Sequence, residues 1–280
     1  MSHKGPSFSS SRPSMEYLGH RGPNEVVSGD LTEIGVRGIV FAPHTGPRCA
    51  AVVFGHGYLQ PAERYVDTLR FLASWGFVAA APDTERGIVP SHSGLALDLA
   101  RAADRLSDAK LNNGRVTIDA NRLAAVGHGI GGGAAVLAAA TGRPPIKAVA
   151  TIFASDTSPS AIHAAAHVSS PGLHLTGGAD RLADAESGGE AIARAWGGPA
   201  QLRRIKGAHS LSITEGRHVT SRLLDKHSSQ PVLRTVRMLL TAFLLVHVAD
   251  QDQLGEQLDG KISRSTLIDI TDSTAVGVAR

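Results

Sequence analysis

The stretch that decides the fold is LAAVGHGIGGG, residues 123–133, which leads into an alanine-rich run ending at Thr141. Its first four residues are apolar and predict a short buried strand, whereas the run after the glycines is typical of a helix. Glycine adopts strained turns readily and lets two backbones approach closely. The stretch therefore predicts a strand, a tight turn and a helix in direct succession.

This layout matches the nucleophile elbow, G-x-S-x-G, in which a serine stands on a strained turn between a strand and a helix. Residues 127–131 fill its five positions, and Gly129 occupies the position of the attacking side chain. A non-glycine residue held in such a turn costs roughly 1–3 kcal/mol, which glycine avoids. The sequence therefore predicts an α/β-hydrolase architecture without the nucleophile. A natural non-catalytic protein and an engineered Ser→Gly substitution both explain this.

Length and composition favour one large α/β domain, since the chain has 280 residues and is 42% hydrophobic. The net charge of +3 is small and the arginines are scattered, so no nucleic-acid partner is expected. The single cysteine, Cys49, excludes an intrachain disulfide and is predicted to be structural. No apolar run reaches the about 18 residues of a membrane helix, so no transmembrane segment is expected. Residues 1–30 lack the apolar core of a secretory signal, which favours a cytoplasmic protein.

Apolar strand patterns alternate with helical patterns along the chain, which predicts a mostly parallel central sheet with helices on both faces. The predicted strands are residues 33–42, 50–54, 77–81, 123–126, 147–153, 172–176 and 200–205. The predicted helices are residues 61–76, 91–109, 132–141, 186–196 and 232–248, with a possible short element at 262–270. We expect a hydrolase-like domain over residues 31–250, between a flexible lead-in (1–30) and a C-terminal extension (251–280).

For two of the helices, the sequence predicts which side chains are buried or exposed. In the first, a stripe at helical spacing is predicted to face the core; it consists of Tyr65, Leu69, Leu72 and Trp75. The long C-terminal helix carries Arg234 and Arg237, which are predicted to lie at its exposed start.

Polar residues that follow the later strands suggest the rest of a catalytic triad. In α/β-hydrolases the acid and then the base follow the nucleophile along the chain. Asp180 ends a glycine-rich turn after one strand, and His209 follows the next, so we predict Asp180 as acid and His209 as base. Either residue alone is more typical of an ordinary loop, and the assignment depends on both residues following the elbow in this order. Asp156 is the competing acid, and Asp83 is less favoured.

An oxyanion hole needs two backbone N–H groups, one from the residue after the nucleophile and one from the loop after an earlier strand. Ile130 and Tyr58 occupy these positions. His128 and Ser155 are predicted to lie beside the same pocket. Ser155 is in a neighbouring loop and does not replace the missing nucleophile.

Metal and cofactor signals are weak. His163 and His167 have a spacing that two zinc ligands use on a helix, but no third ligand is evident. The glycines at 131–133 open a helix as in phosphate-binding loops, yet the lysine and hydroxyl residue of such loops are missing. We expect neither a metal nor a cofactor.

Three runs carry a resemblance to a known family: VFGHGY at residues 53–58, LASWGFV at 72–78 and GHGIGGG at 127–133. They resemble the dienelactone hydrolase superfamily, in the branch of chlorophyllases, platelet-activating-factor acetylhydrolase-like esterases and bacterial cutinases or polyester hydrolases. The resemblance spans about residues 50–210. It implies a carboxylic ester hydrolase ancestry and a small-molecule ester or acyl ligand. It also assigns the acid and base named above and the two oxyanion amides.

Two departures separate the chain from that family. The family's nucleophile is serine or cysteine, where this chain has Gly129, and the disulfides common in secreted polyester hydrolases are absent. We favour a natural non-catalytic protein that binds a ligand or regulates. The alternative is a serine esterase inactivated at position 129, and a third possibility is an interaction module built on the C-terminal helix. The sequence does not indicate an oligomeric state.

Overall fold

The computed structural model describes residues 14–177, 188–215 and 229–271. The strands are β1 Val26–Asp30, β2 Gly38–Pro43, β3 Gly46–Gly55, β4 Val78–Pro82, β5 Lys110–Leu111, β6 Val116–His128, β7 Ala148–Ile152, β8 Gly172–Gly177, β9 Ala200–Ile205 and β10 Ser265–Ile268. The helices are α1 Val66–Ser74, α2 His92–Ser107, α3 Ile130–Ala140, α4 Ala161–Ala165, α5 Gly189–Arg194, α6 Gln230–His247 and α7 Gly255–Asp259.

The strands form one ten-stranded sheet in the order β1-β2-β4-β3-β6-β7-β8-β9-β10, with β5 paired to β6. The strands from β4 through β3 to β9 run parallel, and the outer pairs β1–β2, β2–β4 and β9–β10 are antiparallel. Parallel neighbours need crossover connections, which the intervening helices provide. The predicted α/β class with a mostly parallel sheet is therefore confirmed.

Helices cover both faces of the sheet and divide the core into two layers. Val52 of β3 packs in the layer of α1 and α6, whereas its neighbour Val53 packs in the layer of α2 and α3. Successive strand residues point to opposite faces, so a strand buried on both sides is apolar throughout. Leu69 and Phe243 represent the first layer and Leu99 the second, and all three are buried.

The ends of the described chain extend the sheet at both edges. Residues 26–30, which the sequence places in a flexible lead-in, form β1 and pair with β2. Residues 265–268, predicted as part of a C-terminal extension, form β10 and pair with β9. Arg203 of β9 is fully buried and donates to the carbonyls of Leu258 and Gly260, so it ties α7 to this edge.

Other differences from the sequence prediction are local. Residues 31–34 form a 3-10 turn, and β2 begins only at Gly38. The strand before the elbow starts at Val116, well before the predicted start at Leu123. Cys49, predicted to be structural, is buried, and burial raises the pKa of its thiol to about 11. Across the described ranges, no helix combines the length and apolar character needed to cross a membrane.

Glycine backbones let the start of α3 rest directly on the ends of β3 and β6. A Cβ on Gly127 would overlap the carbonyl oxygen of Gly131. A Cβ on Gly131 would overlap the carbonyl group of Gly55. Because these neighbours are backbone atoms, no side-chain movement relieves either contact.

We expect Gly131→Ala to destabilise the fold by about 3 kcal/mol or more, because the added methyl group overpacks a backbone contact that is unable to relax. The matched control is Gly255→Ala at the start of α7, where an added Cβ meets nothing within 4 Å. That change should be nearly neutral. Chemical denaturation of the two variants measures both effects, and a Gly131→Ala midpoint equal to that of the unchanged protein would contradict the packing argument.

Candidate active site

The elbow keeps the backbone geometry of a nucleophile turn although its central residue is glycine. Gly129 has φ 55° and ψ −122°, a region that residues with a side chain rarely adopt. Its N–H donates to the carbonyl of Ile152 at 3.1 Å, and its carbonyl accepts from the amide of Ser155 at 3.1 Å. The end of β7 and the loop that follows it therefore fix both sides of the turn.

Position 129 also has room for a side chain. An ideal Cβ there would have the Cα of Gly57 as its nearest neighbour, at 3.7 Å, which is an ordinary van der Waals contact. The contact also shows that the loop after β3 faces the elbow. An added Cβ at this position would therefore meet backbone strain but no clash.

Two backbone amides flank the same position. Ile130 is the first residue of α3, so its N–H is one of the donors that a helix leaves without an internal acceptor. Tyr58 directly follows Gly57, and its amide has no backbone acceptor within the residues that the structure describes. These are the two amides that the sequence predicts for an oxyanion hole, and the chemistry of such a hole requires donors of this kind.

Tyr65 and His128 connect the loop after β3 to the elbow. The Gly57 amide donates to the hydroxyl of Tyr65 at 3.0 Å, and this hydroxyl lies 2.7 Å from Nδ1 of His128. Nε2 of His128 lies 2.7 Å from the carbonyl oxygen of Ser210. Burial lowers the pKa of His128 to about 4 and raises that of Tyr65, so both side chains are neutral at neutral pH. His128 is thus a buried link between loops, with both ring nitrogens engaged.

His209 lies half-buried in the loop after β9, immediately before a 3-10 turn that spans Ser210–Ile213. Its backbone N–H donates to Oγ of Ser212 at 3.0 Å. Because Ser210 is bound by His128, the main chain beside the proposed base is held against the elbow. The structure therefore brings the loop of His209 and the elbow together.

Glu215 fixes the far end of the loop that contains His209. Its carboxylate accepts from the amides of Asp67 at 2.6 Å and Thr68 at 2.9 Å, at the start of α1. It also accepts from the Thr68 hydroxyl at 2.6 Å and from Arg237 at 2.8 Å. Burial raises the pKa of the Glu215 carboxyl, and these hydrogen bonds oppose that rise. An acidic group at a helix N-terminus is also favoured by the helix dipole.

Of the three candidate acids, two lie within the described residues, and both have carboxylates that are already hydrogen-bonded. Asp180 lies outside the described residues. Asp156 accepts from the Ser160 hydroxyl at 3.0 Å and from the Ile162 amide at 3.2 Å, so its carboxylate is engaged in the start of α4. Asp83 accepts from the Ala62 amide at 3.0 Å and from Arg86 at 2.8 Å. Both of these carboxylates serve local structure.

Several exposed side chains near Tyr58 are apolar. The Tyr58 ring is 45% exposed, and its hydroxyl donates to the carbonyl of Ile88 at 2.7 Å. Leu59, Ile88 and Val89 are also exposed, the last two almost completely. Ser155 is exposed beside the elbow, and its amide donates to Gly129. In the described part of the chain, no three His, Cys, Asp or Glu side chains cluster closely enough to hold a metal ion.

Sequence reasoning misses three residues that organise the site. The core stripe predicted for α1 includes Tyr65, yet a buried tyrosine hydroxyl needs a partner, and that requirement is the available signal. Arg237 is predicted at an exposed helix start, but its side chain is only 15% exposed and pairs with Glu215. No local signal identifies Glu215, because its partners lie about 150 residues earlier and in α6.

Comparison with known families agrees with this architecture. The family model named PETase, described as PET hydrolase-like, matches residues 4–195 of the chain. The chain belongs to this family. It is therefore an esterase-like α/β-hydrolase, in line with the superfamily that the sequence resembles, and the matched range contains Tyr58, Gly129 and Ile130. No curated protein matches the chain.

The depressed pKa of His128 predicts acid sensitivity. In the unfolded chain an imidazole titrates near 6.5, so between pH 6.5 and about 4 the unfolded state binds a proton that the folded state excludes. The free energy of unfolding should therefore fall with falling pH by up to about 1.4 kcal/mol per pH unit from this residue. Urea unfolding over this range, compared with His128→Gln, measures the contribution. Equal slopes for the two proteins would show that His128 does not titrate abnormally.

Glu215→Gln should destabilise the protein by about 3 kcal/mol, because it leaves the guanidinium of Arg237 buried without its counter-charge. The matched control is Asp98→Asn, which removes the Asp98–Arg101 pair on the surface and should cost less than about 1 kcal/mol. Thermal or chemical denaturation measures both changes. Similar losses in the two variants would contradict the structural importance of Glu215.

Proposed function

We propose that the chain, with Gly129 at the elbow, binds a small ester or acyl ligand without converting it, as a non-catalytic member of its family. The observation that carries the proposal is an elbow backbone of intact geometry whose central residue has no side chain. Without a hydroxyl group at position 129, no acyl-enzyme forms at the elbow. In a serine protease such as subtilisin, removing the triad serine costs about 10⁶-fold in rate.

The features that remain suit binding. The amides of Tyr58 and Ile130 are proposed to bind a carbonyl or carboxylate oxygen, since the backbone supplies them whatever residue stands at 129. The exposed apolar side chains at Tyr58, Leu59 and Ile88 suit the apolar part of an acyl ligand. The alcohol and acyl groups are left open by this proposal.

Binding is tested with the protein as it stands, using butyrate and p-nitrophenyl butyrate as probes. We expect saturable shifts of the Tyr58 and Ile130 amide signals in NMR titrations, and no release of p-nitrophenol above the rate in buffer. Rapid p-nitrophenol release by the unchanged protein would overturn the non-catalytic assignment. Titrations that leave both amides unchanged would overturn the ligand-binding assignment.

A second candidate function, a serine esterase altered at position 129, is favoured by the free space there. In that case the hydroxyl introduced by Gly129→Ser attacks the ester carbonyl while His209 takes its proton and Asp180 orients the imidazole. The amides of Tyr58 and Ile130 stabilise the oxyanion, and His209 returns the proton to the leaving alcohol. Water then releases the acyl group by the same steps.

Gly129→Ser should therefore raise p-nitrophenyl acetate and butyrate hydrolysis by at least about 10³-fold. The matched control is Gly129→Ala, which introduces the same backbone strain and a Cβ but no hydroxyl, and it should stay inactive. Circular dichroism confirms that each variant folds. If the folded serine variant is as inactive as the alanine variant, the esterase hypothesis fails.

A further inference from the structure

We infer that Tyr65 is a positioning residue of the acyl site. Acting through His128, it holds three segments in fixed relative positions: the oxyanion loop, the elbow and the base loop. The oxyanion loop is Gly55–Tyr58 and the base loop is His209–Glu215. The catalytic meaning of this inference rests on the proposed function, whereas the physical coupling does not.

The directions of the hydrogen bonds follow from the groups involved. The Ser210 carbonyl only accepts, so Nε2 of His128 carries the proton and donates to it. In a neutral imidazole, Nδ1 is then an acceptor, so the Tyr65 hydroxyl donates to it. The same hydroxyl accepts from the amide of Gly57. The chain of donors therefore runs from Gly57 through Tyr65 and His128 to Ser210 without a conflict.

Apart from Tyr65, this hydrogen-bond network involves three residues, and each of them is next in sequence to a residue with a proposed role. Gly57 precedes Tyr58, an oxyanion donor. His128 precedes Gly129, the nucleophile position, and Ser210 follows His209, the base. The Tyr65 hydroxyl thus contacts Gly57 and His128 directly and is linked to Ser210 through His128.

The surroundings leave these groups little freedom. The Tyr65 side chain is fully buried, with its ring 4.8 Å from that of Phe54 and 5.8 Å from that of His128, centre to centre. A Cβ on Gly57 would lie 2.7 Å from Nδ1 of His128, so the loop approaches the imidazole as closely as a glycine allows. In such a setting a hydroxyl that is removed is not replaced by water without a shift of the loops.

The first test uses Tyr65→Phe in the chain as it stands, with Tyr17→Phe as the matched control. Tyr17 is 47% exposed and packs its ring on Trp75 away from this network. Nitrogen-15 NMR should show His128 only as the Nε2–H tautomer in the unchanged protein and in the control. In Tyr65→Phe we expect the same tautomer, because the Ser210 carbonyl still needs a donor, together with a shifted Nδ1 signal of His128 and shifted amide signals at Tyr58 and at Leu211, which follows Ser210. An unchanged Nδ1 signal, or amide shifts confined to Gly57 and Tyr58, would overturn the coupling.

A second variant separates the two halves of the network. His128→Gln keeps a donor near the position of Nε2 but has no acceptor at the position of Nδ1, because both polar atoms of glutamine lie at the end of its side chain. We expect the Leu211 amide signal to stay near its original position and the Tyr58 signal to move. The control His128→Ala lacks both groups and should displace both signals. If His128→Gln displaces both signals to the same extent, the donor to Ser210 is not the link and the inference fails.

Activity supplies the catalytic readout, in the Gly129→Ser background with p-nitrophenyl butyrate. We expect Tyr65→Phe to lower kcat by about 10-fold or more with KM changed less than about 3-fold, because small misplacements of reacting groups cost rate more than binding. An unchanged kcat would overturn the positioning role. If Gly129→Ser alone is inactive, the esterase proposal fails, and the NMR measurements still decide the coupling.

Discussion

The structure depends on the close approach of the first turn of α3 to the ends of β3 and β6. Three backbones meet there at distances that leave no space for a Cβ on Gly55, Gly127 or Gly131. This contact sets where α3 begins, and therefore where the amide of Ile130 lies. It also presses the loop after β3 against the elbow. Packing of the backbone therefore places the elbow and the amide of Ile130.

Buried polar groups hold the loops that surround this contact. A buried hydroxyl, imidazole or carboxylate is stable only when its partners are present, because an unpaired polar group in a low dielectric is costly. Tyr65 and His128 meet this requirement by linking three loops, and Glu215 meets it by binding the start of α1 and Arg237. Both networks end on the base loop. That segment has little regular structure of its own, so its position comes from these partners.

The sequence predicts the parts of this molecule that depend on local pattern. Buried parallel strands are apolar throughout and the elbow has a fixed glycine spacing, so β3, β4, β6 to β9 and the turn at Gly129 are recognisable without a structure. The edge strand β1 is half exposed and polar, so its residues resemble a loop until a neighbouring strand is known. For the other edge strand, β10, the sequence indicates only a possible short element at residues 262–270. Tyr65 and Glu215 escape prediction for a different reason. Their roles come from partners far away in the chain, and periodicity contains no information about such pairs.

The same reasoning explains why the turn at position 129 is ordered although its central residue has no side chain. In an elbow with serine, the strained turn is maintained against a cost of roughly 1–3 kcal/mol by its surroundings. Here those surroundings are present: the glycine contacts below the turn and the hydrogen bonds of Gly129 to Ile152 and Ser155. Glycine relieves the strain of the turn, and the contacts that would hold a strained turn in place are still present. The turn at Gly129 is therefore held by the contacts of its neighbours, and these contacts do not depend on a side chain at position 129.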